Sequence, residues 1–79
     1  MFYTYILKSD RNGRYYIGYT SDLEARVRLH NSKAVIATKN LTPWSLFHHE
    51  NYNTEKEAID RERQIKAWKS RTMIEKLKF

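Results

Sequence analysis

Four kinds of reactive side chain fall beside the apolar stripes of this chain. Around a helix covering residues 55–68, Glu62 lies about 40° from Ala58 and about 60° from Ile65, inside the stripe that should face a core. An ionised carboxylate there is costly unless it is partnered. Two readings stay open for it. Either Glu62 snorkels or pairs with Arg61, Arg63 or Lys66, or it serves in a cleft as a metal ligand or general base. Carboxylate oxygen suits Mg²⁺, which takes one or two carboxylates and keeps several waters. Around an earlier helix, Arg26 lies about 60° and His30 about 20° from Leu23. Each has a plain reading, a solvated flank for Arg26 and a satisfied half-buried ring for His30. Each also has a chemical one: a guanidinium fork for phosphate, and an imidazole that accepts or passes a proton. Tyr3, Tyr5, Tyr15, Tyr16 and Tyr19 supply phenols. Paired aromatics stabilise hairpins, so structure alone accounts for them. Gly18 between Ile17 and Tyr19 is harder to explain, since glycine inside a strand marks close approach by a ligand or another backbone.

Elements that would position these groups can be read in order. Residues 2–8 and 14–20 are rich in Tyr, Phe, Ile and Thr and read as strands. Between them Ser9 to Gly13 form a turn cluster, with Asn12-Gly13 as the hairpin signal. Ser21 with Glu24 has the pattern of a capping box, opening a helix on which Leu23, Val27 and His30 share a face. Residues 32–43 have no period and read as an irregular loop. Residues 44–52, rich in aromatics, suggest a third strand. Thr54 with Glu57 forms a second capping box, starting a helix through about Trp68, and Ser70 caps a short last helix to about residue 77. The order β-β-α-β-α-α implies an α+β fold, a three-stranded, largely antiparallel sheet flanked by helices. In so small a fold the reactive residues are expected to share the sheet face that holds the core. Trp44, Phe47 and Trp68 are expected in that core rather than in a docking surface.

Length and composition bound the rest. Seventy-nine residues suit one domain, residues 1–79. There is no cysteine, which excludes disulfides and a Cys-based zinc site. Apolar residues make up 41% and aromatics 14%, too many for a disordered chain. No long apolar run suggests a membrane span and no leader pattern is visible, so a cytoplasmic protein is expected. The formal charge is +6, which solubility alone could explain. Nucleic-acid binding is the sharper reading, because Arg61, Arg63, Lys66, Lys69 and Arg71 crowd the last two helices.

Taken together, these residues resemble the GIY-YIG nuclease family over essentially the whole chain. Tyr3-Thr4-Tyr5 stands where the family has Gly-Ile-Tyr, and Tyr16-Ile17-Gly18 reproduces Tyr-Ile-Gly. Residues 16–31 look like the family's continuation, with Arg26 on its arginine and His30 on a histidine of many members. Residues 57–69 resemble its block around a metal-binding glutamate, which falls on Glu62. The small bacterial stand-alone members, related to the nuclease domain of the excision-repair C subunit, are the nearest resemblance. It implies metal-dependent hydrolysis of DNA phosphodiesters, nicking one strand with weak sequence preference, by a monomer or weak homodimer. A repair substrate, structured or damaged DNA, would fit that kinship. Tyr5, Tyr16, Arg26, His30 and Glu62 would form the site. Glu62 would hold Mg²⁺ or Mn²⁺, Arg26 would stabilise phosphate charge, and Tyr5, Tyr16 or His30 would act as base. A cation beside Tyr5 is expected to lower its pKa. An Asn that many members carry after the last helix has no counterpart in Glu75–Phe79. That departure is what would favour a nucleic-acid-binding module without turnover.

Overall fold

The computed structural model describes residues 1–78; Phe79 lies outside them. Strands β1 (Phe2–Ser9), β2 (Tyr15–Thr20) and β3 (Trp44–Tyr52) form one antiparallel sheet in the order β2-β1-β3. The first strand of the chain is thus the middle strand, and β2 and β3 are the two edges. Helices α1 (Leu23–Asn31), α2 (Glu55–Trp68) and α3 (Arg71–Lys76) complete the expected α+β order. A single 3₁₀ turn, Lys39–Leu41, interrupts the loop before β3.

Alternation along β1 divides the core between the two faces of the sheet. Tyr5 and Leu7 pack with Trp44, Tyr16, Leu23 and Val27 beneath α1. Ile6 packs with Ile65, Ile74, Ile17, Phe47 and Trp68 beneath α2 and α3. Trp44 is buried, and Phe47 and Trp68 join a core cluster, as expected. Pairing with β3 slips by one residue between Ile6 and Leu7, a bulge that leaves Phe47 without a partner and turns it to the α2 side. A polar clamp ties α2 to the middle strand, since the buried Thr4 hydroxyl donates to the Ala58 carbonyl at 2.8 Å.

Helix starts follow cap chemistry, with one correction. Thr54 accepts from Glu57 N–H at 3.3 Å, and Ser70 accepts from Met73 N–H at 3.3 Å. At α1 the cap is Asp22, not Ser21: the Asp22 carboxylate accepts from Ala25 N–H at 3.0 Å. Thr20 Oγ1 accepts from Asp22 N–H at 3.1 Å and holds the chain extended for one residue more. An anionic acceptor at this position serves the helix as well as a serine hydroxyl. Glu24 then falls on the exposed side and pairs with Arg28 at 2.8 Å instead of reaching back. The α1 end is tied to β3 by Asn31, whose side chain donates to the Trp44 carbonyl at 3.0 Å and accepts from Trp44 N–H at 2.6 Å.

Candidate active site at the edge of strand β2

Tyr5 stands opposite Gly18 in the β1–β2 register. Its ring lies across Gly18 so closely that a Cβ there would sit 2.6 Å from the Tyr5 oxygen. The gap in β2 therefore admits a tyrosine ring rather than a ligand or a second backbone. It carries the Tyr5 ring from the middle strand toward the sheet edge. Tyr16, on the same face, brings its ring centroid to 6.5 Å from that of Tyr5.

A hollow of about 380 Å³ opens around the β2 edge, lined by Tyr5, Tyr16, Gly18, Arg26, Glu62 and Lys66 among others. Two sides of the sheet meet in it. Tyr5, Tyr16 and Arg26 come from the α1 side, and Glu62 and Lys66 come from α2 on the other. The expectation that the reactive residues would share one face is corrected here. An edge strand has no neighbour on its outer side, so groups from both faces can reach round it.

His30 is brought to this group but not into the hollow. It is fully buried behind Tyr5, with Nε2 3.0 Å from the Tyr5 oxygen and Nδ1 2.9 Å from Thr38 Oγ1. The ring is satisfied, as the plain reading had it, but fully rather than half buried. Thr38 is buried as well, and its hydroxyl points to the Val35 carbonyl at a long 3.4 Å. With the Thr38 proton on that side, the network assigns Nδ1–H as donor to Thr38 and Nε2 as acceptor from the Tyr5 hydroxyl. Burial and the Arg26 charge both lower the His30 pKa, so the ring stays neutral. Tyr5 departs from expectation too. Burial raises its pKa most, Tyr16 and Glu62 add to the rise, and the opposing pull of Arg26 does not overcome them. The pair is held as phenol and neutral imidazole.

Glu62 has a side chain only 13% exposed, and its Oε1 accepts from Lys66 Nζ at 2.6 Å. Of the three cations offered as its partner, the structure selects Lys66. Among the described residues, no three His, Cys, Asp or Glu side chains group closely enough to hold a metal ion. Two carboxylates, Glu62 and Glu55, do line the hollow. One or two carboxylates in a polar, water-accessible hollow are the donor set that Mg²⁺ accepts, so the residues fit such a cation. Among the described residues the Arg26 guanidinium forms no ion pair, which leaves its fork available to an anion.

The cations expected at nucleic acid separate. Lys66, Lys69 and Arg71 lie on the β2 side, joined by Arg14, which nothing in the sequence pattern singled out. Arg63 is exposed and lines neither hollow on that side. Arg61 turns to the opposite edge. It donates to both oxygens of Glu50 on β3, at 2.8 and 3.2 Å, and lies 5.2 Å from the Trp68 ring centroid. The sequence flagged Gly18 correctly as unusual, but no signal pointed to Thr38. Its partnership with His30 spans a loop without periodicity.

The catalytic-domain model of the GIY-YIG family matches residues 1–77. A UPF0213 protein of Bacillus pumilus is 40% identical over 67 residues, covering 84% of this chain and 67% of that protein. A UPF0213 protein of Staphylococcus epidermidis is 40% identical over 78 residues, covering 98% of this chain and 90% of that protein. The solution NMR structure of a UPF0213 protein from Bacillus halodurans shares the fold, with a TM-score of 0.59 and 33% identity. That match covers 98% of this chain and 82% of the other. Among the described residues no helix is long and apolar enough to cross a membrane.

Proposed function

The chain belongs to the GIY-YIG family, a family of nuclease-type enzymes, and from that premise we propose that it is a divalent-cation-dependent endonuclease that nicks DNA. The observation that carries this reading is the meeting of Tyr5, Tyr16, Arg26 and Glu62 around one sheet edge, in a hollow open to a polymer. A cation held by Glu62 would supply charge neutralisation at the phosphate and its leaving oxygen. Arg26 binds the same phosphate by its unpaired fork and stabilises the charge that develops there. One such donor is worth about 3–4 kcal/mol in comparable sites, so Arg26→Ala slows nicking by about 10² to 10³.

Water is activated by Tyr5 with His30 behind it. A buried phenol with a raised pKa is a poor base if it must first ionise alone. Here its oxygen lies 3.0 Å from His30 Nε2, which in the tautomer assigned above accepts the phenol proton. Tyr5 takes the water proton as its own proton passes to Nε2, and no free phenolate forms. Tyr16 lines the same hollow and orients the water. The basic groups beside the site address backbone phosphates, which carry no sequence information, so sequence preference is weak.

The test is nicking of supercoiled plasmid with Mg²⁺ or Mn²⁺, by the wild type and by Glu62→Ala. Metal-dependent nicking that disappears in the variant is the expected result. No cleavage by the wild type, or equal cleavage by Glu62→Ala, overturns the reading.

A further inference from the structure

The hollow at Glu62 has a continuation. A second hollow of about 280 Å³, lined by Arg14, Lys69 and Arg71 among others, shares Ile17 and Lys66 with the first, so the two join along the β2 edge. Strand β2 and helix α2 run in opposite directions beside this trough. Thr20 and Glu55 line one end, and Tyr15 and Lys69 line the other.

Charge is sorted between the two ends. At the Tyr15 end stand Arg14 from the hairpin, Lys66 from α2, Lys69 just after it and Arg71 from α3. Among the described residues neither Arg14 nor Lys69 forms an ion pair, and both are exposed. Arg71 holds Glu75 only at 3.3 Å, with its side chain 55% exposed. At the Thr20 end stands Glu55, with Asp22 and Glu24 beyond Ser21. Arg26 is kept for the scissile phosphate itself, and the other cations on the elements adjoining that end are already paired, Arg28 to Glu24 at 2.8 Å and Lys56 to Asp60 at 2.7 Å. Acids early and bases late in α2 would suit its dipole by themselves. That explanation does not reach Arg14 or Arg71, which arrive from two other elements.

We propose that this trough is a backbone-phosphate subsite that grips the nucleic acid on one side of the scissile phosphate only. The gripped flank runs from Glu62 toward Arg14, Lys69 and Arg71, and beyond the scissile phosphate held by Arg26 the flank passing Thr20 and Glu55 receives no cationic contact. The inference rests on the endonuclease reading for which phosphate is cut, but the asymmetry of binding does not depend on turnover. From Gly18 to Arg14 is about 13 Å of strand. At about 3.4 Å of rise per nucleotide, that spans roughly four phosphates. A strand that ends just beyond the scissile phosphate on the ungripped side remains a good substrate.

Two measurements on the full chain test this. In the first, duplex DNA binding is followed against salt without divalent metal. Arg14→Gln with Lys69→Gln lowers the slope of log affinity against log salt by about 1.8, two contacts at about 0.9 each. Arg28→Gln with Lys56→Gln leaves the slope unchanged. In the second, methylphosphonates replace three phosphates on one or the other side of a mapped nick. One flank raises KM at least tenfold with little change in kcat, the other has no effect, and the Arg14→Gln, Lys69→Gln protein is markedly less sensitive to the first flank. Equal slope losses in both variant pairs, no binding at all, or equal sensitivity of the two flanks overturns the inference. A protein that nicks without the asymmetry refutes this inference alone. One that binds asymmetrically but never nicks refutes the endonuclease reading alone.

Discussion

In Gly18→Ala the new methyl would be built 2.6 Å from the Tyr5 oxygen, 2.7 Å from its Cζ and 3.1 Å from Cε1. Carbon contacts settle near 3.5–4.0 Å, so the ring tip must withdraw by about 1 Å. It has little room to do so, because Tyr5 is 1% exposed and its hydroxyl is held by His30 at 3.0 Å. Overpacking of this kind costs about 1–3 kcal/mol. A buried hydrogen bond pulled apart costs about 1–3 kcal/mol. The two overlap, and a sum of about 2–4 kcal/mol is expected, a drop of at least about 8 °C in Tm for a chain this short. Thermal unfolding followed by near-UV circular dichroism measures the loss, and plasmid nicking at a temperature where the variant is still folded measures the consequence for the site. Turnover should fall more than the unfolded fraction explains, since the Tyr5–His30 contact is what moves. Gly13→Ala is the comparison, for its Cβ meets only the flexible ends of two side chains, the Arg71 guanidinium at 3.4 Å and Lys8 Cε at 3.9 Å, and its strain comes from a φ of +76°. It should lose stability without a specific loss of turnover. A Gly18→Ala protein that melts within about 2 °C of wild type and nicks at the wild-type rate would refute the reasoning.

Three further outcomes are expected. Thr38→Val removes the acceptor of His30 Nδ1–H, so it should destabilise by about 1–3 kcal/mol and lower kcat with KM unchanged. Thr38→Ser should restore both, and an NMR tautomer measurement still finding Nδ1 protonated in the valine variant would contradict the assigned network. Glu50 is opposed by burial, yet Arg61, Tyr52 and His48 hold its carboxyl down at about 2. Because the folded pKa lies below the unfolded one, its contribution is full above about pH 4.5 and is lost as pH falls toward 2. That is up to about 3 kcal/mol, and Glu50→Gln should flatten the acid limb of the stability curve; an unchanged limb counts against the network. Arg61→Gln leaves Glu50 with Tyr52 and His48 as partners and should cost a part of that total, about 1–2 kcal/mol of stability. It should leave the salt slope of DNA binding unchanged, and a lowered slope would return Arg61 to the nucleic-acid surface.

Local rules account for much of the chain. Hydroxyl caps at Thr54 and Ser70, the alternation of Tyr5, Ile6 and Leu7, and the turn at Asn12-Gly13 each act over a few residues, so the chemistry of those residues is enough to read them. Even the error at Ser21 is local, since two adjacent residues could cap α1 and the Thr20 hydroxyl tips the choice to Asp22. Side-chain type, together with the resemblance, also nominated Tyr5, Tyr16, Arg26, His30 and Glu62. Their meeting is another matter. Glu62 reaches the tyrosines only because β2 has nothing beyond it, and strand order is a property of pairing between distant segments. The same order sends Arg61 to β3 while Lys66, little more than one turn later, faces the hollow. His30 shows the limit most clearly: helical spacing could place it beside Leu23. Only the packing of the 32–43 loop, with Thr38 folded beneath α1, decided that its ring would be sealed behind Tyr5, because burial depends on what covers a face, not on the face alone.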